Sequence, residues 1–412
     1  MDINTEKLLL ILKEFSKIGK SGEGITRKGF SHEEREAHRL AGEYMKQAGL
    51  SVRIDEAGNT IGRRGKVGEA ALVVGSHLDS VPKGGAFDGA FGVAAGIVCA
   101  ETIISSNETL PWAIEVIAFS DEEGAYHAGT LGSRAMMGRL SERELTEEID
   151  GVPNPLALAM ERAGLKISLL PNARRRPKEF IAYLELHVEQ GPVLEKMGKQ
   201  IGIVTGIPSL SRYLINFDGS SAHSGTTPLS MRDDALRKAA LFLDKGYEIL
   251  FQKEGRMIGN FGNIRVEPGT FNVVPGRAIL SLELRSIDIE SIEELEGIFT
   301  EILYFIDSRA TIEEVLKKGG SLMDKRIIDV ILSSCKHLGY GYFMMPSGAG
   351  HDATSFAPDV PSGMIFVPSV GGKSHSPDEY TPPEAMAAGV KTLLTTILDL
   401  KNIISYREEA DV

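Results

Sequence analysis

The sequence predicts an α/β protein: a mixed, mostly parallel sheet with helices on both faces, interrupted by a ferredoxin-like α+β domain. Three observations point there. Short apolar runs alternate with helical periodicity near both ends of the chain, and polar clusters rich in His, Asp and Glu follow directly after several of those runs. Between them, a stretch from about residue 206 to 320 reads β-α-β-β-α-β. The 412 residues exceed the roughly 150 of an average domain. The pattern divides them into 1–205 with 321–412 as one unit, and an inserted 206–320 as a second, smaller one.

In chain order, two helical patterns come first. The second is entered at Ser31, with Glu34 three residues on as in a capping box, and stops at Gly49. Residues 72–77 and 113–120 are short apolar strands with a helix over 93–105 between them, which is the spacing of a parallel pair. Residues 180–184 form a third strand. In the insertion, 212–217, 259–266 and 277–285 are strands, 230–250 and 290–306 are helices, and a last strand begins near Ala310. The α/β pattern then resumes with a helix over 323–338, a strand over 364–370 and a closing helix over 383–400.

Composition excludes several function classes. Hydrophobic residues make up 42% and charged residues 25%, as in a soluble globular protein. Forty-five Lys+Arg against 57 Asp+Glu leave a net charge of −12, which disfavours nucleic acid or an anionic membrane as partner. No apolar run approaches the ~18 residues of a membrane span. The run Leu8-Leu9-Leu10-Ile11-Leu12 follows acidic residues and stops at Lys13, unlike a signal peptide. Cys99 and Cys335, the two cysteines, supply neither a disulfide framework nor a thiolate zinc site. The expectation is a cytoplasmic protein.

Four clusters carry the chemistry. The first is Gly75-Ser76-His77-Leu78-Asp79-Ser80, followed by Asp88-Gly89 in a glycine-rich loop. The second, Asp121-Glu122-Glu123-Gly124, places three consecutive carboxylates after an apolar strand, which costs free energy unless a cation or shared proton compensates. The third is Glu185-Leu186-His187-Val188-Glu189-Gln190-Gly191, and the fourth Ser374-His375-Ser376-Pro377-Asp378-Glu379. A lone His or Asp in such a place is ordinarily a loop residue or a helix cap. Three His after strands, with Asp88 and Glu123 beside them, instead form a ligand set suited to Zn or Mn. Five such ligands hold two metals when one carboxylate bridges, as in a two-metal hydrolytic site.

These motifs resemble those of the M20 metallopeptidase-like enzymes and, more narrowly, of the hydantoinase/carbamoylase subfamily. That subfamily contains N-carbamoyl-L-amino-acid hydrolases, allantoate amidohydrolases and some β-ureidopropionases. His187 is the subfamily feature, because many M20 peptidases carry a carboxylate there. The resemblance implies two divalent ions, Zn2+ or Mn2+, one on His77, Asp88 and His187 and the other on Asp88, Glu123 and His375. It further implies Glu122 as the general base that takes a proton from the attacking water and passes it to the leaving nitrogen. Asp79 would orient His77.

In the insertion, the resemblance implies a homodimer in which His223, within Ser221-Ala222-His223-Ser224-Gly225, reaches the partner's active site and stabilises an oxyanion. Asn272 and Arg285 would bind a substrate carboxylate, with Gln190 also contacting substrate. On its own residues, His223 reads as a loop histidine and Arg285 as the salt-bridge partner of Asp288. The implied reaction cleaves the carbamoyl C–N bond of an N-carbamoyl-L-amino acid, giving amino acid, ammonia and CO2. Allantoate is the alternative substrate; a dipeptidase or aminoacylase is disfavoured by His187 and the Asn272/Arg285 pair. Closure of the insertion over the metals follows if both sets of residues serve one substrate. His351 and Asp352 fall in a further family-like motif, which implies residues close to the metals that support the ligands or line the substrate pocket without being ligands; His32, His38, His127 and His337 have no such support and are expected on the surface or on helices. One departure stands out: Ala125-Tyr126-His127 occupies the place of an Arg-Phe pair in many relatives, on the substrate side.

Overall fold

The computed structural model describes residues 1–126, 129–146, 148–149, 151–253 and 257–404. His127 lies outside them. The chain forms two compact units, one from residues 1–205 and the chain from Leu322 onward, the other from residues 206–321.

In the first unit, α1 (Thr5–Phe15) and α2 (His32–Gln47) lead into β1 (Ser51–Ile54) and β2 (Thr60–Arg64). Then come β3 (Ala71–His77), α3 (Ala90–Ser105), β4 (Ala113–Phe119), β5 (Phe180–Val188) and β6 (Ile201–Val204). The second unit contributes β7 (Ser209–Asp218), α4 (Ala235–Gln252), β8 (Ile258–Glu267), β9 (Arg277–Ser286), α5 (Ile289–Ile306) and β10 (Thr311–Lys318). The first unit resumes with α6 (Lys325–Leu338), β11 (Tyr342–Met345), β12 (Ser362–Val367) and α7 (Pro383–Ile404).

The first unit is built on an eight-stranded sheet in the order β11-β6-β12-β5-β3-β4-β2-β1. Its four central strands, β12, β5, β3 and β4, run parallel to one another, so their C-terminal ends leave at one edge. β3 and β4 are buried at every residue, which is why they read as unbroken apolar runs rather than alternating ones. The second unit is an antiparallel four-stranded sheet, β8-β9-β7-β10. Burial along β7 and β9 alternates residue by residue, giving one face to a core of Tyr213, Phe217, Phe242, Leu282 and Phe299 with α4 and α5. The predicted fold class is the observed one.

Several boundaries differ, each for a local reason. The helix predicted from Ser230 starts at Ala235, because the Asp234 side chain accepts from the N–H of Arg237 and caps it there. Likewise Asp324 caps α6, which starts two residues later than predicted. The strand predicted to reach Val370 ends at Val367, and residues 370–372 turn. At α2 only half of the capping box forms. Ser31 Oγ accepts from Glu34 N at 3.2 Å, but the Glu34 carboxylate accepts from the N–H groups of Phe30 and Asp121. β1, β2, β6 and β11 are absent from the predicted elements. They are four or five residues long, and β1 is mostly exposed, so none carries a decisive period. Among the described residues, no helix is long and apolar enough to cross a membrane.

Candidate metal centre

The parallel strands deliver ligand-type side chains to one edge. His77 is the last residue of β3, His187 is the penultimate residue of β5, and Glu122 and Glu123 lie just past β4. Asp88 occupies the loop before α3. The next residue, Gly89, sits at φ 63°, and a Cβ there would stand 2.5 Å from the His77 ring, so only glycine lets the loop approach. His375 arrives on the loop after β12.

Asp88 is the centre of the arrangement. Its Oδ1 lies 3.4 Å from His77 Nε2 and 3.2 Å from His187 Nε2. Its Oδ2 lies 3.3 Å from His375 Nε2, which is itself 3.5 Å from Glu123 Oε2. His77, Asp88 and His187 form one group, and Asp88, Glu123 and His375 a second, with the ligand atoms of each within 4.8 Å of one another. The first trio is buried, whereas His375 is half exposed.

Backbone and carboxylate acceptors aim the imidazoles. His187 Nδ1 is 2.9 Å from the carbonyl of Val188, and His77 Nδ1 is 3.3 Å from both the carbonyl and Oδ1 of Asp79. These acceptors engage Nδ1 and leave each Nε2 as the ring nitrogen that faces Asp88. Asp79 also accepts from Glu122 N at 3.1 Å and Glu123 N at 2.9 Å, which ties the acidic turn to the His77 loop. Glu122 Oε2 then stands 3.7 Å from His77 Nε2.

Burial and neighbouring charge push the titrating groups apart. Burial alone would raise the Asp88 carboxyl, but hydrogen bonds from His187, His375 and His77 outweigh it and hold Asp88 well below the usual carboxylate range. Burial pushes Glu122 well above its ordinary value, with His77 opposing. Glu123 is pushed up to about 7 by burial and by Asp88. The hydrogen bond to Asp88 raises His375 to about 9.

These residues fit divalent cations. The donors are imidazole nitrogen and carboxylate oxygen, the set that suits Zn or Mn. Moreover, Glu123 Oε1 is buried with no hydrogen-bond partner among the described residues, an arrangement that a cation would relieve.

Gln190 belongs to the same cluster. It sits at φ 60°, donates from Nε2 to Asp88 Oδ2 at 2.8 Å and leaves its own Oε1 buried without a hydrogen-bond partner among the described residues. One supporting residue, Glu379, was not predicted. Glu379 accepts from the N–H groups of Phe87 and Asp88 with one oxygen, at 2.8 and 3.2 Å, and from Ser374 Oγ with the other. It thereby joins the Asp88 loop to the His375 loop, and only its place beside His375 in the sequence hints at this. His351 is buried with its ring 4.6 Å from that of His187 and Nε2 3.0 Å from Ser347 Oγ. Asp352 beside it is also buried. His38 is buried on α2 with Nδ1 3.0 Å from Thr60 Oγ1, while His32 and His337 are exposed.

The other predicted residues belong to the second unit. His223 is exposed on a two-residue strand, Ala222–His223, paired with Val273–Val274, and its Nδ1 accepts from Gly225 N at 3.2 Å. Asn272 is exposed beside it, its carbonyl accepting from Ser224 N at 2.9 Å. Arg285, on β9, pairs with Glu283 at 2.9 Å, while Asp288 accepts from Glu290 N to cap α5.

The chain is also similar to known proteins along most of its length. Residues 73–399 match peptidase family M20/M25/M40. The chain is 40% identical over 407 residues to an N-carbamoyl-L-amino acid amidohydrolase of Geobacillus stearothermophilus, spanning 97% of this chain and 99% of that one. It is 33% identical over 385 residues to an allantoate amidohydrolase of Escherichia coli K12, spanning 92% and 93%. Among solved structures, a hydantoinase/carbamoylase-family amidase from Burkholderia multivorans superposes with a TM-score of 0.88 at 29% identity, covering 97% of this chain and 98% of that one. Shared sequence, shared fold and a double ligand cluster centred on Asp88 place the chain in peptidase family M20/M25/M40, within its hydantoinase/carbamoylase branch.

Proposed function

We propose that this amidohydrolase cleaves the carbamoyl C–N bond of N-carbamoyl-L-amino acids, consuming water and releasing the amino acid, ammonia and CO2. The observation that carries the reading is Asp88 shared between two three-residue ligand groups, with Glu122 beside them. The choice of substrate is supported by the 40% identity to a carbamoyl amino acid amidohydrolase along nearly the whole chain.

His77, Asp88 and His187 would hold one divalent cation, and Asp88, Glu123 and His375 a second. Such ions polarise a carbonyl and acidify water. Glu122 takes the proton of the attacking water and passes it to the leaving nitrogen. Asp79 holds His77 and the acidic turn in register. Gln190, Asn272 and Arg285 take the substrate, with the guanidinium forking the carboxylate. His223 steadies the developing oxyanion across a homodimer.

The test is ammonia release from a panel of N-carbamoyl-L-amino acids and allantoate. Turnover of carbamoyl amino acids is expected, lost with a chelator and restored by Zn2+ or Mn2+. Turnover of allantoate alone would move the enzyme to ureide breakdown. Silence on the whole panel by metal-loaded protein would point to a peptide or acyl amino acid and overturn the carboxylate-pocket roles.

The dimer has its own test. Glu122→Gln and His223→Ala are each expected to be nearly inactive alone. Mixed and re-equilibrated in equal amounts, they should recover about a quarter of wild-type activity, since half the dimers then carry one intact site. No recovery under conditions where subunits exchange would mean that His223 does not act across a dimer.

A further inference from the structure

We propose that Glu34, in the first turn of α2, is a positioning residue that, with Arg35, sets the aim of the acidic turn at residues 121–123. The Glu34 carboxylate is wholly buried. It accepts two backbone N–H groups that lie outside any helix or sheet ladder: Oε1 takes that of Asp121 at 3.1 Å, and Oε2 takes that of Phe30. Both donors are left-handed, Asp121 at φ 52° and Phe30 at φ 58°. Non-glycine residues hold such a conformation only when their surroundings impose it. One carboxylate therefore holds the N–H groups of two left-handed residues, and one of them, Asp121, immediately precedes Glu122.

Arg35 extends the grip. Its Nη2 lies 2.8 Å from Glu34 Oε2 and 2.8 Å from Ser120 Oγ, and its Nη1 donates to the carbonyl of Gly58 at 2.7 Å. Glu34 and Arg35 thus hold Ser120 and Asp121 from one side, while Asp79 holds the N–H groups of Glu122 and Glu123 from the other. Asp121 closes the turn by accepting from Ala125 N at 2.9 Å. The fit leaves no room: a Cβ on Gly29 would stand 2.1 Å from Asp121 Oδ1. Released at Asp121, the turn can relax from its left-handed conformation, and the side chains of Glu122 and Glu123 would swing with it. Glu34 itself touches no reacting atom.

The inference rests on the reading of Glu122 as base and Glu123 as metal ligand. Its test is the Glu34→Gln variant, which keeps the shape but offers one acceptor oxygen, so its amide NH2 faces one of the two N–H donors. In the metal-loaded enzyme, kcat is expected to fall about tenfold or more while KM stays within about twofold. The visible absorption of the Co2+-loaded protein is expected to shift, and the protein to remain folded at the assay temperature. Arg35→Lys, at a partly exposed position, should move kcat and the Co2+ spectrum in the same direction by less. Should Glu34→Gln fail to fold, Arg35→Lys decides by the same criteria. A folded variant with wild-type kcat and a wild-type Co2+ spectrum would overturn the proposal, as would a loss that disappears once corrected for the folded fraction. If the wild type turns over no carbamoyl substrate, the functional reading fails, and the Co2+ spectrum without substrate still reports on the positioning.

Discussion

Replacing Glu122 by glutamine is expected to leave a folded protein that still loads metal and turns over about 10³- to 10⁴-fold more slowly, the upper range for loss of a positioned general base. The substitution preserves shape and removes only the ability to take a proton. Glu122 belongs to neither ligand group, so metal content measured by elemental analysis should match that of the wild type. With Glu122 as the proposed base, the pH profile of the residual activity is expected to lose the acidic limb that protonation of Glu122 would cause. An unchanged acidic limb, or a kcat within tenfold of wild type, would assign the base elsewhere.

The second large effect is expected at Asp88. Asp88→Asn removes the one carboxylate common to both groups and replaces an acceptor of hydrogen bonds from Gln190 and Ser374 with an amide that must present an N–H to some of the same neighbours. Metal content should fall from two ions per chain towards none. Activity should drop by about 10⁴-fold, or roughly 5 kcal/mol of lost transition-state stabilisation. By contrast, His375→Ala touches the second group alone and should leave one ion bound. Equal metal content in Asp88→Asn and wild type would mean that Asp88 bridges nothing.

What the sequence makes legible follows from chemistry and period. The parallel strands stand out because burial on both faces demands continuous apolar runs, as in residues 71–77 and 113–119. The inserted unit stands out because β7 and β9 alternate. His77, Asp88, Glu123, His187 and His375 are conspicuous because residues of those types seldom gather beyond strand ends without a reason. Glu34 and Glu379 carry no such signal. Their partners are backbone N–H groups far away in sequence, and any residue except proline offers one. Glu34 even conforms to a local pattern, the capping box, that its carboxylate abandons for Asp121. The Arg285 partner escaped for a similar reason: Asp288 is spaced for an ion pair but is occupied as a helix cap, and Glu283, two residues back on the same strand, takes the guanidinium.

The sheet order has a consequence for synthesis. β12 is the last strand made, yet it lies between β5 and β6, which are complete before the insertion begins. A chain growing from the ribosome therefore carries one unpaired edge on β5 and two on β6 through translation of the whole second unit. The ligand groups mature on the same schedule: the first is complete once residue 187 has emerged, whereas the second waits for His375. A chain released early keeps the means to bind one ion and an open slot in its sheet, so truncation at the C-terminus should yield insoluble protein rather than a weakened enzyme.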